Sequence, residues 1–401
     1  MSSSSQAQLD ATAVENFREY LRIPSVQPDI NYDDCVTFLR KQTESLGLLF
    51  RIYHMQPNKP IVVMTWLGTE PEKPSILLNS HMDVVPVVED KWTYPPFSAH
   101  LDAEGNIYAR GSQDMKCVGI QYLEAIRRLK LAKQHFKRTI HVSFVPDEEI
   151  GGFLGMKDFV PTVNFEDLNV GFALDEGVAS PEEFFYMFYG ERAIWHIEIK
   201  CEGTPGHGSI LHDSTAGEKI RIIIDRFMDF RAKEKEKLKD PKKQLGDVTT
   251  INLTQLKGGV QTNVVPTSLS VIFDIRIDPS VDHIEFENMI KKWCEEAGAD
   301  VIYSFEQKDP KIKNTKLDNS NPFWLAFKKA CEDLKIKLQI GIFPGGTDSR
   351  YIRQAGIPSI GFSPMNKTKI LLHDHDEYLN KDIFLKGIEI YMKIISAVAN
   401  A

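Results

Sequence analysis

The chain lacks paired cysteines, long apolar runs and any excess of positive charge. Its five cysteines, Cys35, Cys117, Cys201, Cys294 and Cys331, are odd in number, widely spaced and form no Cys-x-x-Cys pair. A disulfide scaffold is therefore excluded, and free thiols in a reducing compartment, the cytosol, are the expectation. No apolar stretch approaches the roughly 20 residues of a membrane-spanning helix. Met1 to Gln8 is small and polar, without a basic segment or apolar core, which argues against a signal peptide. A formal net charge of -8, with a pI near 5.8, offers no general attraction for nucleic acid or anionic membranes. There is no internal repeat, and no low-complexity tract beyond the short serine leader.

What is present is an ordinary globular composition, 42% hydrophobic and 26% charged, spread over 401 residues. That length suggests two domains or one domain carrying an insertion. Helical spacing marks Ala13 to Leu21, ending before Pro24, and again Asp33 to Leu46. Apolar runs at Ile61 to Trp66, Ile76 to Leu78, Ile140 to Val145 and Val170 to Leu174 read as strands, with a helix at Lys116 to Leu131 among them. Strands alternating with helices imply an α/β domain with a mostly parallel sheet.

From Ala193 the pattern changes to strand, helix, strand, strand, helix, strand, ending at Phe305. This βαββαβ order is ferredoxin-like. The Lys/Glu-rich stretch Arg231 to Lys243 has mixed signs and reads as a solvated helix end and loop, not a basic binding patch. The α/β style resumes with helices at Pro322 to Leu334 and Phe384 to Val398 and a strand at Pro358 to Phe362. The expected organisation is a discontinuous α/β domain, residues 1–190 and 311–401, interrupted by a smaller domain at 191–310.

The chemistry-bearing residues gather in clusters at strand ends. His81-Met82-Asp83 follows Ile76-Leu77-Leu78-Asn79-Ser80; Asp114 precedes a helix; Asp147-Glu148-Glu149 and Asp175-Glu176 each close an apolar run; His373-Asp374-His375-Asp376-Glu377 lies near the end. Ligands in open α/β sheets collect at the carboxyl ends of strands. A His there can bind metal through one nitrogen while Asp83, of the same strand parity, hydrogen-bonds the other. Adjacent carboxylates repel one another unless cations compensate, and a divalent metal is an economical compensation.

These residues resemble a known family. Ser80-His81-Met82-Asp83-Val84-Val85-Pro86, Ala109-Arg110-Gly111-Ser112-Gln113-Asp114-Met115-Lys116, Pro146-Asp147-Glu148-Glu149-Ile150-Gly151-Gly152 and Leu174-Asp175-Glu176-Gly177 look like the co-catalytic zinc metallopeptidases of the M20 type. Gly345-Gly346-Thr347-Asp348-Ser349-Arg350-Tyr351, Phe362-Ser363-Pro364-Met365-Asn366 and Leu371 to Glu377 resemble the branch that cleaves N-acyl amino acids. The resemblance implies two zinc ions bridged by Asp114, one completed by His81 and Glu176 and the other by Glu149 and His373. Two such ions lower the pKa of a shared water and clamp the attacked oxygen. Glu148 falls in the general-base position, with Asp83 orienting His81. Spacing alone leaves Glu148 against Glu149, Glu176 against Asp175 and His373 against His375 open; the family pattern favours the assignment given.

Thr204-Pro205-Gly206-His207-Gly208-Ser209 looks like the family segment whose His reaches the neighbouring subunit's site and binds the oxyanion, which implies a homodimer made through the inserted domain. Asn263, Arg276 and Arg350 are candidate substrate contacts, an Arg fork suiting a free α-carboxylate. Arg276 has the alternative of pairing with Asp274 or Asp278. The implied activity is hydrolysis of N-acyl-L-amino acids with neutral aliphatic side chains to a carboxylate and a free amino acid. The rival readings are a dipeptidase or carboxypeptidase on the same scaffold, and a non-catalytic metal or small-molecule binding protein. A dipeptidase needs an extra acid for the free amine, and none is evident; a binding protein has no need of a base at position 148.

Overall fold

The computed structural model describes residues 3–401. The polar leader is helical from Ser3, since α1 spans Ser3–Leu21; Met1 and Ser2 lie outside the described residues. Asp10 explains part of the earlier start, because it accepts from Gln6 one turn back and pairs with Arg128 at 2.7 Å. The chain divides into two compact units, residues 1–189 with 314–340 and 347–401, and residues 190–313 with 341–346. The second unit thus takes back a short segment, 341–346, from beyond the boundary expected from sequence.

The first unit is built on a mixed sheet. Its strands are β1 (Leu49–Gln56), β2 (Lys59–Trp66), β3 (Ser75–His81), β4 (Ile140–Val145), β5 (Val170–Asp175) and β6 (Phe185–Glu191). The second unit contributes β7 (Ala193–Glu202), β8 (Thr250–Gly258), β9 (Ser268–Ile277) and β10 (Val301–Lys308), and the chain continues with β11 (Leu338–Phe343) and β12 (Ser359–Phe362). The large sheet runs β1-β2-β4-β3-β5-β12-β6-β11. Its central strands β4, β3, β5 and β12 are parallel, while β1, β2 and β6 pair antiparallel at the flanks.

The central strands read as continuous apolar runs because both faces are covered. Ile76, Leu78, Val142, Phe144, Phe172 and Leu174 point to one face, packed with α1, α3 (Lys116–Leu131) and α7 (Lys381–Val398). Ile61, Val63, Leu77 and Ala173 point to the other, against Phe159, Tyr351 and Ile352. Helix α3 lies hard against the sheet because position 119 is glycine; a Cβ there would sit 2.7 Å from both the Phe144 ring and Ser80 Oγ. Helix α2 (Asp33–Leu46) stops at Gly47 in the left-handed conformation, and α6 (Pro322–Asp333) starts at Asn321, whose side chain caps Phe323 and Trp324 with proline at its first position.

In the second unit the sheet order is β8-β9-β7-β10, with every pair antiparallel. Helices α4 (Ala216–Lys237), begun by a Thr215/Glu218 capping box, and α5 (His283–Ala297) cover one face through Ile223, Phe227, Phe286 and Ile290. The alternation in β7 follows: Ile197, Ile199 and Cys201 are buried and the residues between them are half-exposed. Among the described residues no helix is long and apolar enough to cross a membrane, and all five cysteines are free and buried. Removing the Phe144 ring, which lies fully buried between β4 and α3, is expected to cost about 3–5 kcal/mol. Calorimetry of Phe144→Ala checks this as a lowered unfolding midpoint.

Candidate active site

The five sequence clusters meet at the carboxyl edge of the parallel strands. His81 is the last residue of β3 and pairs in register with Val145, the last of β4, so the turn that carries Asp147, Glu148 and Glu149 starts beside it. Asp175 ends β5 and Glu176 follows. Asp114 enters from the loop before α3, and His373 from the loop before the strand Tyr378–Asn380.

Asp114 lies at the centre. Its Oδ1 is 3.0 Å from His81 Nε2, and its Oδ2 is 3.3 Å from His373 Nε2. On the His81 side, Glu176 Oε2 lies 3.7 Å away; on the His373 side, Glu149 Oε2 lies 3.0 Å away. His81, Asp114 and Glu149 can converge on one ion, and so can His81, Glu148 and Glu176. The donor set suits a divalent metal: Glu149 Oε1 is buried without a hydrogen-bond partner, and three further carboxylates share the edge with it.

Electrostatics point the same way. Burial, then the charge of Glu176, pushes the Glu148 carboxyl well above its ordinary range. Burial and the Asp114 charge push Glu176 up and Glu149 to about 7. Burial opposes ionisation of Asp114 too, but the hydrogen bonds from His373 and His81 outweigh it and hold that carboxyl low. His373 is pushed up to about 10 by Asp114 and Glu149. His81 is also raised, its burial outweighed by Glu176 and Asp114. Without a metal, protons and imidazolium compensate the crowded anions.

The neighbours of these side chains explain which member of each pair faces inward. Asp175 is occupied behind the edge, its Oδ1 accepting from the Glu176 amide and Asn79 and its Oδ2 from Ser349. His373 contacts Asp114 and Glu149, whereas the His375 main-chain amide donates to Asp374 Oδ1. Asp83 differs from expectation. His81 Nδ1 lies 2.9 Å from the Asp83 carbonyl oxygen and 3.5 Å from its carboxylate. That carboxylate instead accepts from the amides of Glu148 and Glu149, each at 3.1 Å, and from Gln27 at 2.9 Å. A strand-end Asp whose chain turns under the next strand finds free amides there, and these outcompete a ring already served by a carbonyl.

The sequence motifs assign Glu377 no role, yet this buried carboxylate joins two site loops. It accepts from Arg110 at 2.8 Å and from the amides of Gly111, Gln113 and Asp114 at 3.1, 2.6 and 3.3 Å. Asp348 is another missed group, fully buried, hydrogen-bonded by Asn79 and pushed up to about 8 by burial and Asp175. No local pattern announces either residue, because their partners are distant in sequence.

The remaining predicted residues divide by unit. Arg350, in the first unit, is buried with Nη2 3.3 Å from the Gly151 carbonyl. In the second unit, His207 is exposed with Nδ1 2.8 Å from Ser209 Oγ. The residue pair Gly206–His207 forms a ribbon with Val264–Val265, and the Asn263 carbonyl accepts from the Gly208 amide, so Asn263 and His207 sit on one loop tip. Arg276 takes the alternative noted above: its Nε and Nη2 grip Asp274 at 2.7 and 2.9 Å.

Residues 77–397 match the profile of peptidase family M20/M25/M40. The chain belongs to this family. It is 50% identical to aminoacylase-1 of Mus musculus over 389 residues, 97% of this chain and 95% of that one. Aminoacylase-1 of Sus scrofa is 49% identical over 388 residues, again 97% and 95%. Among solved structures, an M20 family metallo-carboxypeptidase from Sulfolobus solfataricus superposes with a TM-score of 0.73 at 19% identity, covering 96% of this chain and 99% of its own. This M20 chain therefore shares its α/β fold with distant members and most of its length with closer ones.

Imidazole must be neutral to bind metal, so a metal ion held by His373, pushed up to about 10, and Glu149, pushed up to about 7, would displace protons from both. Binding of a divalent metal to the metal-free protein is expected to release protons at pH 7 and to tighten as pH rises from about 6 to 9. Calorimetry in buffers of different ionisation enthalpy measures that release.

Proposed function

We propose that this M20 enzyme is a metal-dependent amidohydrolase that cleaves N-acyl-L-amino acids, with neutral aliphatic side chains preferred, to a carboxylate and a free amino acid. The substrate class is supported by 48–50% identity to mammalian aminoacylase-1 sequences along nearly the full chain. The observation that carries the chemistry is the split of Asp114, one oxygen toward His81 and the other toward His373.

In this reading His81, Glu176 and Asp114 would hold one zinc ion, and Glu149, His373 and Asp114 a second. The mixed imidazole and carboxylate donors support zinc over a thiophilic or all-oxygen metal. Bound zinc supplies Lewis-acid polarisation of the scissile carbonyl and acidifies the attacking water. Glu148 takes the water's proton on its carboxylate and delivers it to the departing amine nitrogen. Burial and the Glu176 charge raise this carboxyl above its ordinary range, the direction that favours holding a proton between the two transfers. Asp83 holds His81 through its carbonyl and the Glu148 amide through its carboxylate, so one residue aligns ligand and base.

The reading extends to a homodimer. The second unit is assigned as a ferredoxin-like dimerisation domain, supported by its βαββαβ order and by the exposed apolar residues around His207: Leu211 is 102% exposed and Val260 89%. His207 then serves the partner's oxyanion, with Asn263 beside it, while Arg350 and Arg276 are the candidate forks for the substrate carboxylate. Arg276 would have to exchange Asp274 for substrate. The buried free cysteines support a cytosolic address.

Purified enzyme is expected to hold two zinc ions per chain, to turn over N-acetyl-L-methionine faster than dipeptides, and to lose activity on chelation; equal activity in metal-free protein would refute the mechanism. Glu148→Gln should retain zinc while kcat falls by about 10²–10⁴-fold, as loss of a general base does. His207→Ala and Arg350→Ala homodimers should each be inactive, and mixing them should restore part of the activity if His207 serves the other subunit.

A further inference from the structure

The first of the three consecutive carboxylates, Asp147, has no part in the chemistry described so far, yet it is the most heavily held residue of the turn. It is fully buried and sits in the left-handed region, φ 63 and ψ 23, where a non-glycine residue persists only if its surroundings enforce it. Its carboxylate receives Lys59 Nζ at 2.6 Å on Oδ2 and 2.9 Å on Oδ1. Oδ1 also accepts from Tyr32 Oη at 2.7 Å and from Gln27 Nε2 at 3.0 Å. The Asp147 amide donates back to Tyr32 Oη at 3.1 Å. On the other side its carbonyl accepts from Gly152 at 2.7 Å and Ile150 at 3.3 Å, closing the turn that carries Glu148 and Glu149.

Gln27 links this anchor to Asp83. Its amide nitrogen donates to Asp147 at 3.0 Å and to Asp83 at 2.9 Å, and Asp83 in turn accepts from the Glu148 and Glu149 amides. The base turn is therefore clamped twice, through the side chain of Asp147 and through the main chain of the two glutamates. Both clamps are anionic, and Lys59, 16% exposed on β2, supplies the cation that makes a buried Asp147 carboxylate tenable.

We propose that Lys59, together with Tyr32 and Gln27, is a positioning set that fixes the Asp147 turn and thereby aims the Glu148 carboxylate. None of the three is among the residues that converge on the metal or the base. They act on the reaction through Asp147 because a misplacement of about 1 Å at a catalytic group can cost about 10²-fold in rate. Gln27 also couples the turn to the residue holding His81, so base and ligand are registered against one frame. A purely structural role, bracing β2 against the turn, would lower stability without a selective loss of kcat. This inference rests on Glu148 being the base, and the experiment separates the two.

The test compares Lys59→Met, Lys59→Arg and Tyr32→Phe with wild type in saturating zinc, using N-acetyl-L-methionine, and follows hydrogen exchange of each metal-free protein. Lys59→Met is expected to lower kcat by about 10–100-fold with KM little changed, while its unfolding midpoint falls because the buried Asp147 carboxylate loses its cation. Lys59→Arg should recover most of that loss, and Tyr32→Phe should show a smaller loss of the same kind. In the metal-free proteins the amides of Ile150 and Gly152 should exchange faster in Lys59→Met while those of α3 do not. Wild-type kcat in Lys59→Met, no rescue by Lys59→Arg, or unchanged exchange in the turn overturns the proposal. If Lys59→Met unfolds globally, Tyr32→Phe decides: a normal kcat there overturns it as well. An inactive wild type, or a fully active Glu148→Gln, would instead remove the proposed function, leaving the exchange result to judge the clamp alone.

Discussion

The mutual repulsion of buried carboxylates at one sheet edge is the constraint around which the first unit is organised. Asp114, Glu148, Glu149 and Glu176 face inward together, and Asp83, Asp147, Asp175, Asp348 and Glu377 stand behind them, each buried or nearly so. Such a concentration of anions survives only with specific partners, since an unpaired buried charge costs several kcal/mol. The partners are of three kinds: imidazoles that meet the inner carboxylates, main-chain amides and neutral side chains that saturate the outer ones, and the cations Lys59 and Arg110 at the periphery. What is left over is two convergent donor sets, His81 with Asp114 and Glu149 and His81 with Glu148 and Glu176, that could hold a metal ion.

The same accounting explains the doubled acids of the sequence. In Asp147-Glu148-Glu149 the aspartate is consumed by Lys59, Tyr32 and Gln27, which leaves the two glutamates to point inward. In Asp175-Glu176 the aspartate accepts from Ser349, Asn79 and the next amide, and the glutamate meets His81. In His373 to Glu377 the histidine reaches Asp114 while Glu377 ties down the Gly111 to Asp114 loop. In the first two clusters the shorter acid is the one held by its neighbours, whereas in the last the holder is Glu377. A short side chain bonds local backbone readily, and a longer one reaches across the edge.

Much of the first unit was legible because its strands obey simple burial rules. β3, β4 and β5 are packed on both faces and read as unbroken apolar runs, and α3 follows as the helix between two of them. Of the flanking strands only β2, read at Ile61 to Trp66, was legible. β1 alternates between exposed and half-buried residues at an edge and β11 is partly exposed, so neither carries the apolar signature of a core strand, while β6 is apolar but runs into the change of unit. Their existence depends on a neighbour offering hydrogen bonds, which is a tertiary fact. The Ser3 start of α1 was missed for a like reason, since Asp10 is secured by Arg128 on another helix.

By itself the sequence determined the inventory: a strand-end His81, a pre-helical Asp114, acids after β4 and β5, a late His373, and their family order. Residue type and strand parity suffice for that, because both are local properties of the chain. Only the tertiary structure decided how each side chain is spent. It sent the Asp83 carboxylate to the Glu148 and Glu149 amides and left His81 to a carbonyl, bound Arg276 to Asp274, and made Glu377 and Asp147 the anchors of the site. The physical reason is that a buried polar atom bonds the nearest available partner in space. At this edge those partners come from segments that lie far apart in the chain.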